Sequence, residues 1–356
     1  MNADNPLAHA VDLPFPNGGD QLTSEIHGDG VRLGRTFEAE DNDKPRLLSD
    51  MVGQTALRGH LETMIAAAKA RGDVLRHLLF TGPPGLGKSV FGEAIAAEMG
   101  VDLTITSGAG IDTKQSLVAR LCRLRPREVL LIDEIHAVVP RCQDMLSMVM
   151  KDFVIRPEVI SDLATAPPES PKKVMLPPFT VIGTTTEPDG ISTSLLEQFT
   201  VEEFDYYDVA ALAEYAARQG LVEGIDIPDA VARAVADRGR GSPRRVRQIV
   251  RHLRDYAFDR DRALTLEFAS EVFRAQGLDS LGFEWQDRSV LSALKSHGRP
   301  LGLHSLAAVA GVTPGTVKVV IEPELLRRGL IQRTGQGRVI TQAGIDHLAA
   351  NPEPLD

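Results

Sequence analysis

At 356 residues the chain exceeds one average domain, so it has room for two or three folded units. Its hydrophobic share of 43% and charged share of 25% are those of a soluble globular protein. No run reaches the ~18 apolar residues of a membrane helix, and the two cysteines lack companions at disulfide or zinc spacing, so a cytoplasmic, reduced protein is expected. The formal charge of -10 would argue against a polyanionic partner, but it is unevenly spread. Residues 1–43 carry nine acids against Arg32 and Arg35, whereas residues 238–345 carry eighteen Lys/Arg against ten Asp/Glu, a net +8 that suits nucleic acid.

Residues 1–43 show no sustained periodicity and recurrent Gly, Pro, Asn and Asp, which predicts an acidic, mostly disordered tail. Apolar residues at helical spacing from Leu57 to Lys69 predict a helix, and the run His77 to Thr81 predicts a buried strand that leads into glycines. The pattern then alternates: helix at 90–98, strand at 103–106, helix at 114–121, buried strand at 128–132, helix at 143–150, buried strand at 179–185. Such alternation predicts a doubly wound parallel sheet in an α/β unit with helices on both faces, over residues 44–208. Residues 153–176, rich in proline and too long for a minimal connection, read as an exposed hairpin or insertion. Helices at 209–218, 228–237 and 243–258 predict an all-α unit over 209–279. Helices at 287–296, 303–310 and 314–328, followed by two short strands about Gly335-Gln336-Gly337, predict a winged helix over 280–356.

Between a predicted strand and helix, Gly82-Pro83-Pro84-Gly85-Leu86-Gly87-Lys88-Ser89 matches G-x-x-x-x-G-K-[ST] throughout. Its glycines let backbone N–H groups face phosphate oxygens, Lys88 carries the charge that neutralises them, and the Ser89 hydroxyl suits Mg2+. ATP with Mg2+ is therefore the expected ligand. Asp133 and Glu134 end the strand run Val129 to Ile132; an acid pair there also fits a helix start, but with the upstream loop it reads as an Mg2+ ligand, Asp133, and a water-polarising base, Glu134. One hydroxyl of Thr184, Thr185 or Thr186 can orient the attacking water, or the three form a polar strand end. Arg244 can reach a γ-phosphate from the all-α unit, or it is an ordinary helix-start arginine. Arg327, Arg328, Arg333 and Arg338 flank the recognition helix and wing, where phosphate contacts are made; a solvated or protein-docking basic face is the other reading.

Several stretches, in order and spacing, resemble the RuvB family, the AAA+ motors of Holliday-junction branch migration. They are Met51-Val52-Gly53-Gln54, His77 to Lys88, Leu131-Ile132-Asp133-Glu134-Ile135-His136, Leu176 to Gly183 and Gly239 to Arg244, with Asp279 to Gly282 and Gly329 to Thr341 extending the likeness. The resemblance implies an AAA+ ATPase module, a helical lid, a DNA-binding winged helix and a hexameric ring around duplex DNA. It further implies that Val52 lies among the nucleotide contacts, that Thr186 is the sensor and Arg244 the lid arginine, and that residues 153–176 hold a junction-binding protein partner. The departures are specific. Where the family has arginines just before a phenylalanine, one of which reaches the neighbouring subunit's nucleotide, this chain has Leu196 and Gln198 before Phe199, with Glu197 between them. Glu187 stands at a position that is usually basic in the family, and the insertion from Ile155 to Met175 is longer. Three readings follow: a DNA motor, an ATP-gated binding switch with slow turnover, and an interaction protein of a mobile-element or defence system. Arg127 and Arg141 are the candidates to replace the missing arginine in trans.

Overall fold

A computed structural model describes residues 31–33, 47–156 and 173–351. Its main sheet has six strands in the order β1-β3-β4-β7-β2-β8. They are β1 (Val31–Leu33), β2 (Leu78–Thr81), β3 (Leu103–Ser107), β4 (Val129–Asp133), β7 (Thr180–Thr185) and β8 (Thr200–Glu203). The last five run parallel, and β1 pairs antiparallel with β3, Arg32 opposite Thr104. Within residues 1–43, expected to be a mostly disordered tail, the short strand β1 is described: the edge of a parallel sheet presents unpaired N–H and C=O groups, and a short extended segment satisfies them. The rest of that acidic segment lies outside the described residues.

Strand side chains alternate between two cores because successive residues point to opposite faces. Leu79, Leu130, Ile132 and Val181 join one buried cluster with α3 (Lys114–Leu121) and α4 (Pro140–Asp152). Leu78, Phe80, Leu131 and Ile182 join the other with α1 (Thr55–Arg71) and α2 (Lys88–Met99). Covering on both faces explains why β4 reads as one unbroken apolar run. Of the 153–176 segment, Val154–Ile155 (β5) and Val174–Met175 (β6) form an antiparallel pair, and residues 157–172 lie outside the described residues. The short helix α5 (Thr193–Leu196) precedes β8.

Beyond Tyr207 a separate cluster unites α6 (Val209–Val222), α7 (Asp229–Arg238), α8 (Pro243–Arg260) and α9 (Leu266–Ala275), the last capped by Thr265, whose side chain accepts from Phe268 N–H. A fourth cluster holds the terminal unit: α10 (Trp285–His297), α11 (Leu303–Ala310), the interrupted helix α12 (Pro314–Arg327), the wing strands β9 (Ile331–Thr334) and β10 (Gly337–Ile340), and α13 (Gln342–Ala350). The helix expected over 314–328 is not continuous. It comprises Pro314–Thr316, a π-helical turn at Val317–Ile321 and Glu322–Arg327. Pro323 lacks the N–H that an α-helical ladder needs there and crowds the carbonyl one turn back, so the ladder widens before it. Among the described residues no single helix is long and apolar enough to cross a membrane.

That break turns two carboxylates inward. Glu322 is fully buried and accepts hydrogen bonds from Arg333 Nε (2.6 Å) and Arg338 Nε (2.8 Å), while Glu324 accepts from Arg327 and Arg328. Burial alone would raise the Glu322 pKa, but the two arginine hydrogen bonds outweigh it and hold the carboxyl below its ordinary value. A lowered folded pKa gives stability that is present in full above the ordinary glutamate range and lost as pH falls through the depressed value. Glu322→Gln should remove that acid-limb dependence and, chiefly by leaving the half-buried Arg338 without its carboxylate while Arg333 stays solvated, cost about 2 kcal/mol. Urea unfolding followed by the fluorescence of Trp285, the chain's single tryptophan, at pH 7 and pH 4 checks this; equal midpoints for native and variant at pH 7 would refute the pairing's importance.

Candidate functional site

The loop Gly82–Gly87 leaves the carboxyl end of β2 and opens α2 at Lys88. Gly82 has φ 129° and lies so close to β8 that a Cβ would sit 2.5 Å from the Phe204 carbonyl oxygen. Gly85 has φ 80°, and a Cβ there would meet Ser242 Oγ at 2.7 Å and Arg244 Cβ at 3.1 Å. Only glycine satisfies both positions, one for the close passage of the strand and one for contact with the all-α unit. Lys88 is almost fully buried, and its ammonium donates to the carbonyls of Gly82 and Pro83, each at 2.8 Å. Burial lowers its pKa; Glu134 and Asp133 oppose that shift and Arg244 adds to it. The lysine is thus a desolvated cation whose present partners are neutral carbonyls, a donor ready for phosphate oxygens.

Strand order decides what faces the loop. β7 lies between β2 and β4, with Phe80 opposite Thr184 and Thr81 opposite Thr185. Thr184 Oγ therefore reaches across to donate to Asp133 Oδ1, which also accepts from Ser89 Oγ at 2.9 Å. Ser89 and Asp133 present hard oxygen donors side by side, the chemistry that Mg2+ requires. After Asp133 the backbone turns through Glu134 at φ 50°, a left-handed conformation that is costly for a side-chain-bearing residue. The turn lets Glu134 N–H donate to Thr184 Oγ1 (3.2 Å) and brings the Glu134 carboxylate to the N–H and hydroxyl of Thr186, at 3.4 and 3.3 Å. Of the three threonines, Thr184 and Thr185 are fully buried, and Thr186 is the one whose hydroxyl meets Glu134.

Arg244 sits in the first turn of α8; its N–H donates to the Gly85 carbonyl (3.3 Å), and Ser242 Oγ donates to the same oxygen (3.1 Å). The all-α unit therefore rests directly on the phosphate loop. Sequence reasoning missed the device that locks this joint, the pair Tyr206-Tyr207. Tyr207 donates its phenol to the Leu86 carbonyl (3.2 Å), its N–H to the Gly241 carbonyl (3.0 Å), and packs its ring on Gly53, beside nearly buried Val52. Burial raises the Tyr207 pKa, so the phenol stays a donor. Two aromatics after a strand carry no pattern that separates them from ordinary core. His136, on the turn after Glu134, stands out in the sequence only as part of a motif, yet its Nδ1 lies 3.2 Å from Glu134 Oε2 and 2.9 Å from Thr185 Oγ1.

The expectation that all four terminal arginines face a polyanion is narrowed. Arg327 stacks on Tyr206, 4.4 Å from its ring centroid, and Arg328 donates to the Asp237 carbonyl, so these two join the winged helix to the rest of the chain. Arg338 is tied to Glu322 with little exposure, and only Arg333 of the four keeps more than half its side chain exposed, at 57%. Buried Glu322 and Glu324 require cationic partners, and the nearest arginines are taken for that purpose. Arg127 and Arg141 donate to the backbone carbonyls of Asp73 and Asp112. Leu196 packs against the core, and Gln198 donates to the Ser194 carbonyl.

Comparison with known proteins agrees with this geometry. A model of the Holliday junction DNA helicase RuvB P-loop domain matches residues 44–204, and one of the RuvB C-terminal winged helix domain matches residues 280–349. Among solved structures, Thermotoga maritima RuvB, described as a Holliday junction branch migration motor, is 31% identical with a TM-score of 0.74, over 86% of this chain and 98% of that one. A variant of the same Thermotoga protein is 32% identical with a TM-score of 0.75 over the same shares. With phosphate loop, acid pair, threonine strand end, lid and winged helix in that order, the chain belongs to the RuvB family of AAA+ ATPases.

Proposed function

We propose that this chain binds ATP with Mg2+ at residues 82–89, hydrolyses it slowly, and uses the cycle to act on duplex or branched DNA as part of a ring, hexameric in keeping with the family resemblance. The observation that carries this reading is the convergence at one sheet edge of buried Lys88, the Ser89–Asp133 pair and the Glu134–Thr186 pair, with Arg244 of the lid against the same loop. Ser89 and Asp133 would hold Mg2+, which supplies charge neutralisation on the phosphates when bound. Lys88 and Arg244 would meet the developing charge, and Glu134 would take the proton of a water that attacks the γ-phosphorus as the bond to the ADP oxygen breaks. Thr186 would hold Glu134 in place. Arg333 is the residue retained for phosphate contact on the wing, and a protein partner at residues 153–176 stays part of the reading.

A second reading is favoured by one observation: Leu196 and Gln198 stand where a trans-acting arginine is expected, and neither carries charge. An arginine finger contributes on the order of 10^3 to 10^5 in rate in other NTPases, so its replacement suits an ATP-gated binding switch of DNA or protein, in which hydrolysis merely resets the state. Steady-state ATP turnover against protein concentration, with and without duplex and four-way junction DNA, separates the two; steep cooperative stimulation and junction migration would refute the switch.

Three outcomes are expected. Lys88→Ala should weaken nucleotide binding at least tenfold, about 1.4 kcal/mol, by calorimetry, and unchanged affinity would sink the site. Arginine restored at both 196 and 198 should raise turnover in the assembled protein but not in dilute monomer; no increase would show that the geometry of the neighbour's approach has been lost along with the charge. DNA affinity should fall linearly with log salt, and Arg333→Ala should reduce the slope by about one, whereas a salt-independent complex would point to protein docking.

A further inference from the structure

All three contacts that hold the Glu134 carboxylate fall on one of its oxygens. Oε2 meets Thr186 N–H, Thr186 Oγ1 and His136 Nδ1, and among the described residues Oε1 meets no such partner. The two threonine contacts are long, at 3.4 and 3.3 Å, and the Glu134 side chain is 43% exposed, so threonine alone is a weak clamp for a carboxylate on a left-handed turn. The histidine is better fixed than the group it touches. Its side chain is 20% exposed, its Nδ1 is 2.9 Å from buried Thr185 Oγ1, and Thr185 in turn accepts from Glu187 N–H. Gly190 closes the other side, where a Cβ would lie 3.0 Å from His136 Cβ. Nδ1 makes its hydrogen bond with Thr185 Oγ1 and lies at ion-pairing distance, 3.2 Å, from Glu134 Oε2; a nitrogen lone pair so close to a carboxylate oxygen would be repulsive, so the proton belongs on Nδ1.

From this geometry we infer that His136 is a positioning residue for ATP hydrolysis: its Nδ1, fixed by Thr185, lies against Oε2 of Glu134 and holds that oxygen electrostatically, leaving Oε1 to accept the proton of the attacking water. The inference rests on the proposed role of Glu134 and adds to it the anchor that Thr186 alone does not provide. It also gives Thr185 a function, since its oxygen sets the plane of the imidazole ring.

The test exploits side-chain length. The amide nitrogen of asparagine lies as many bonds from Cα as histidine Nδ1, whereas that of glutamine corresponds to Nε2. In the full-length protein, His136→Ala should lower kcat for ATP by about tenfold to a hundredfold, the cost of a reacting group displaced by ~1 Å, with KM and ADP affinity within about twofold of native. His136→Asn should recover most of the loss and His136→Gln should not. A native kcat in His136→Ala, or a glutamine variant equal to or better than asparagine, overturns the inference. If the alanine protein does not fold, as judged by ADP affinity and Trp285 fluorescence, the asparagine–glutamine comparison decides alone. Glu134→Gln is measured in parallel. Full turnover there would refute the role of Glu134 itself, whereas an inactive Glu134→Gln beside a fully active His136→Ala would refute only the histidine.

Discussion

The nucleotide site hangs on one oxygen. Asp133 Oδ1 accepts from Ser89 at the start of α2 and from Thr184 on β7, so a single carboxylate joins the phosphate loop, the strand that precedes it by two positions in the sheet, and the strand between them. Both donors are neutral hydroxyls and the acceptor is charged, which makes each bond stronger than an ordinary neutral one. Without this contact, Ser89 and Asp133 would be two side chains on separate elements, and Glu134, one residue on, would lack the turn geometry that Thr184 fixes through its backbone N–H. The sheet topology is what permits it, because inserting β7 between β2 and β4 puts a threonine within reach of both edges.

A second set of contacts ties that site to the rest of the chain through one short segment. Residues 239–245 carry Arg244 and Ser242 to the Gly85 carbonyl, and Gly241 to the Tyr206 ring and the Tyr207 N–H. The same segment faces the winged helix. Arg240, buried and at φ 53°, pairs with Asp287 and lies 4.5 Å from the Phe283 ring centroid, while Arg245 donates to the Gly282 carbonyl and Glu284. A buried ion pair contributes little net stability but is costly to break, so it fixes an orientation more than it adds to stability. Arg244 and Arg245 are consecutive residues of one helical turn, one against the phosphate loop and one against the winged helix.

The phosphate loop, the acid pair and the alternation of strands were legible because each depends on local chemistry: glycines where φ is positive, an apolar run where both faces are covered, acids where a strand ends. What escaped depends on partners distant in sequence. β8 (Thr200–Glu203) is polar and looks like a loop, and it is a strand because β2 offers it a parallel edge. The π-helical turn before Pro323 was hidden by apolar spacing that suits a helix throughout, although the proline itself was the signal. The arginines of the wing looked free because the sequence does not show that Glu322 and Glu324 are buried among them. Tyr206, Tyr207 and His136 gave no usable pattern at all, since their roles arise from which carbonyl or carboxylate the fold sets beside them.

These contacts bear on how a chain without an arginine before Phe199 can still respond to nucleotide. A trans-acting finger accelerates the chemical step in other NTPases, whereas in the proposed reading binding rests on Lys88, the loop backbone and the lid. Phosphate that draws Lys88 away from the Gly82 and Pro83 carbonyls, or that recruits Arg244 beside Gly85, acts on groups already connected to Asp287 and Glu284 by the segment 239–245. Differential contact with nucleotide in two arrangements is sufficient to shift a population between them, whatever the rate of hydrolysis. The segment 239–245 thus places the contact with the phosphate loop, through Arg244 and Ser242, and the contacts with the winged helix, through Arg240 and Arg245, within a few consecutive residues, none of which depends on a charge before Phe199.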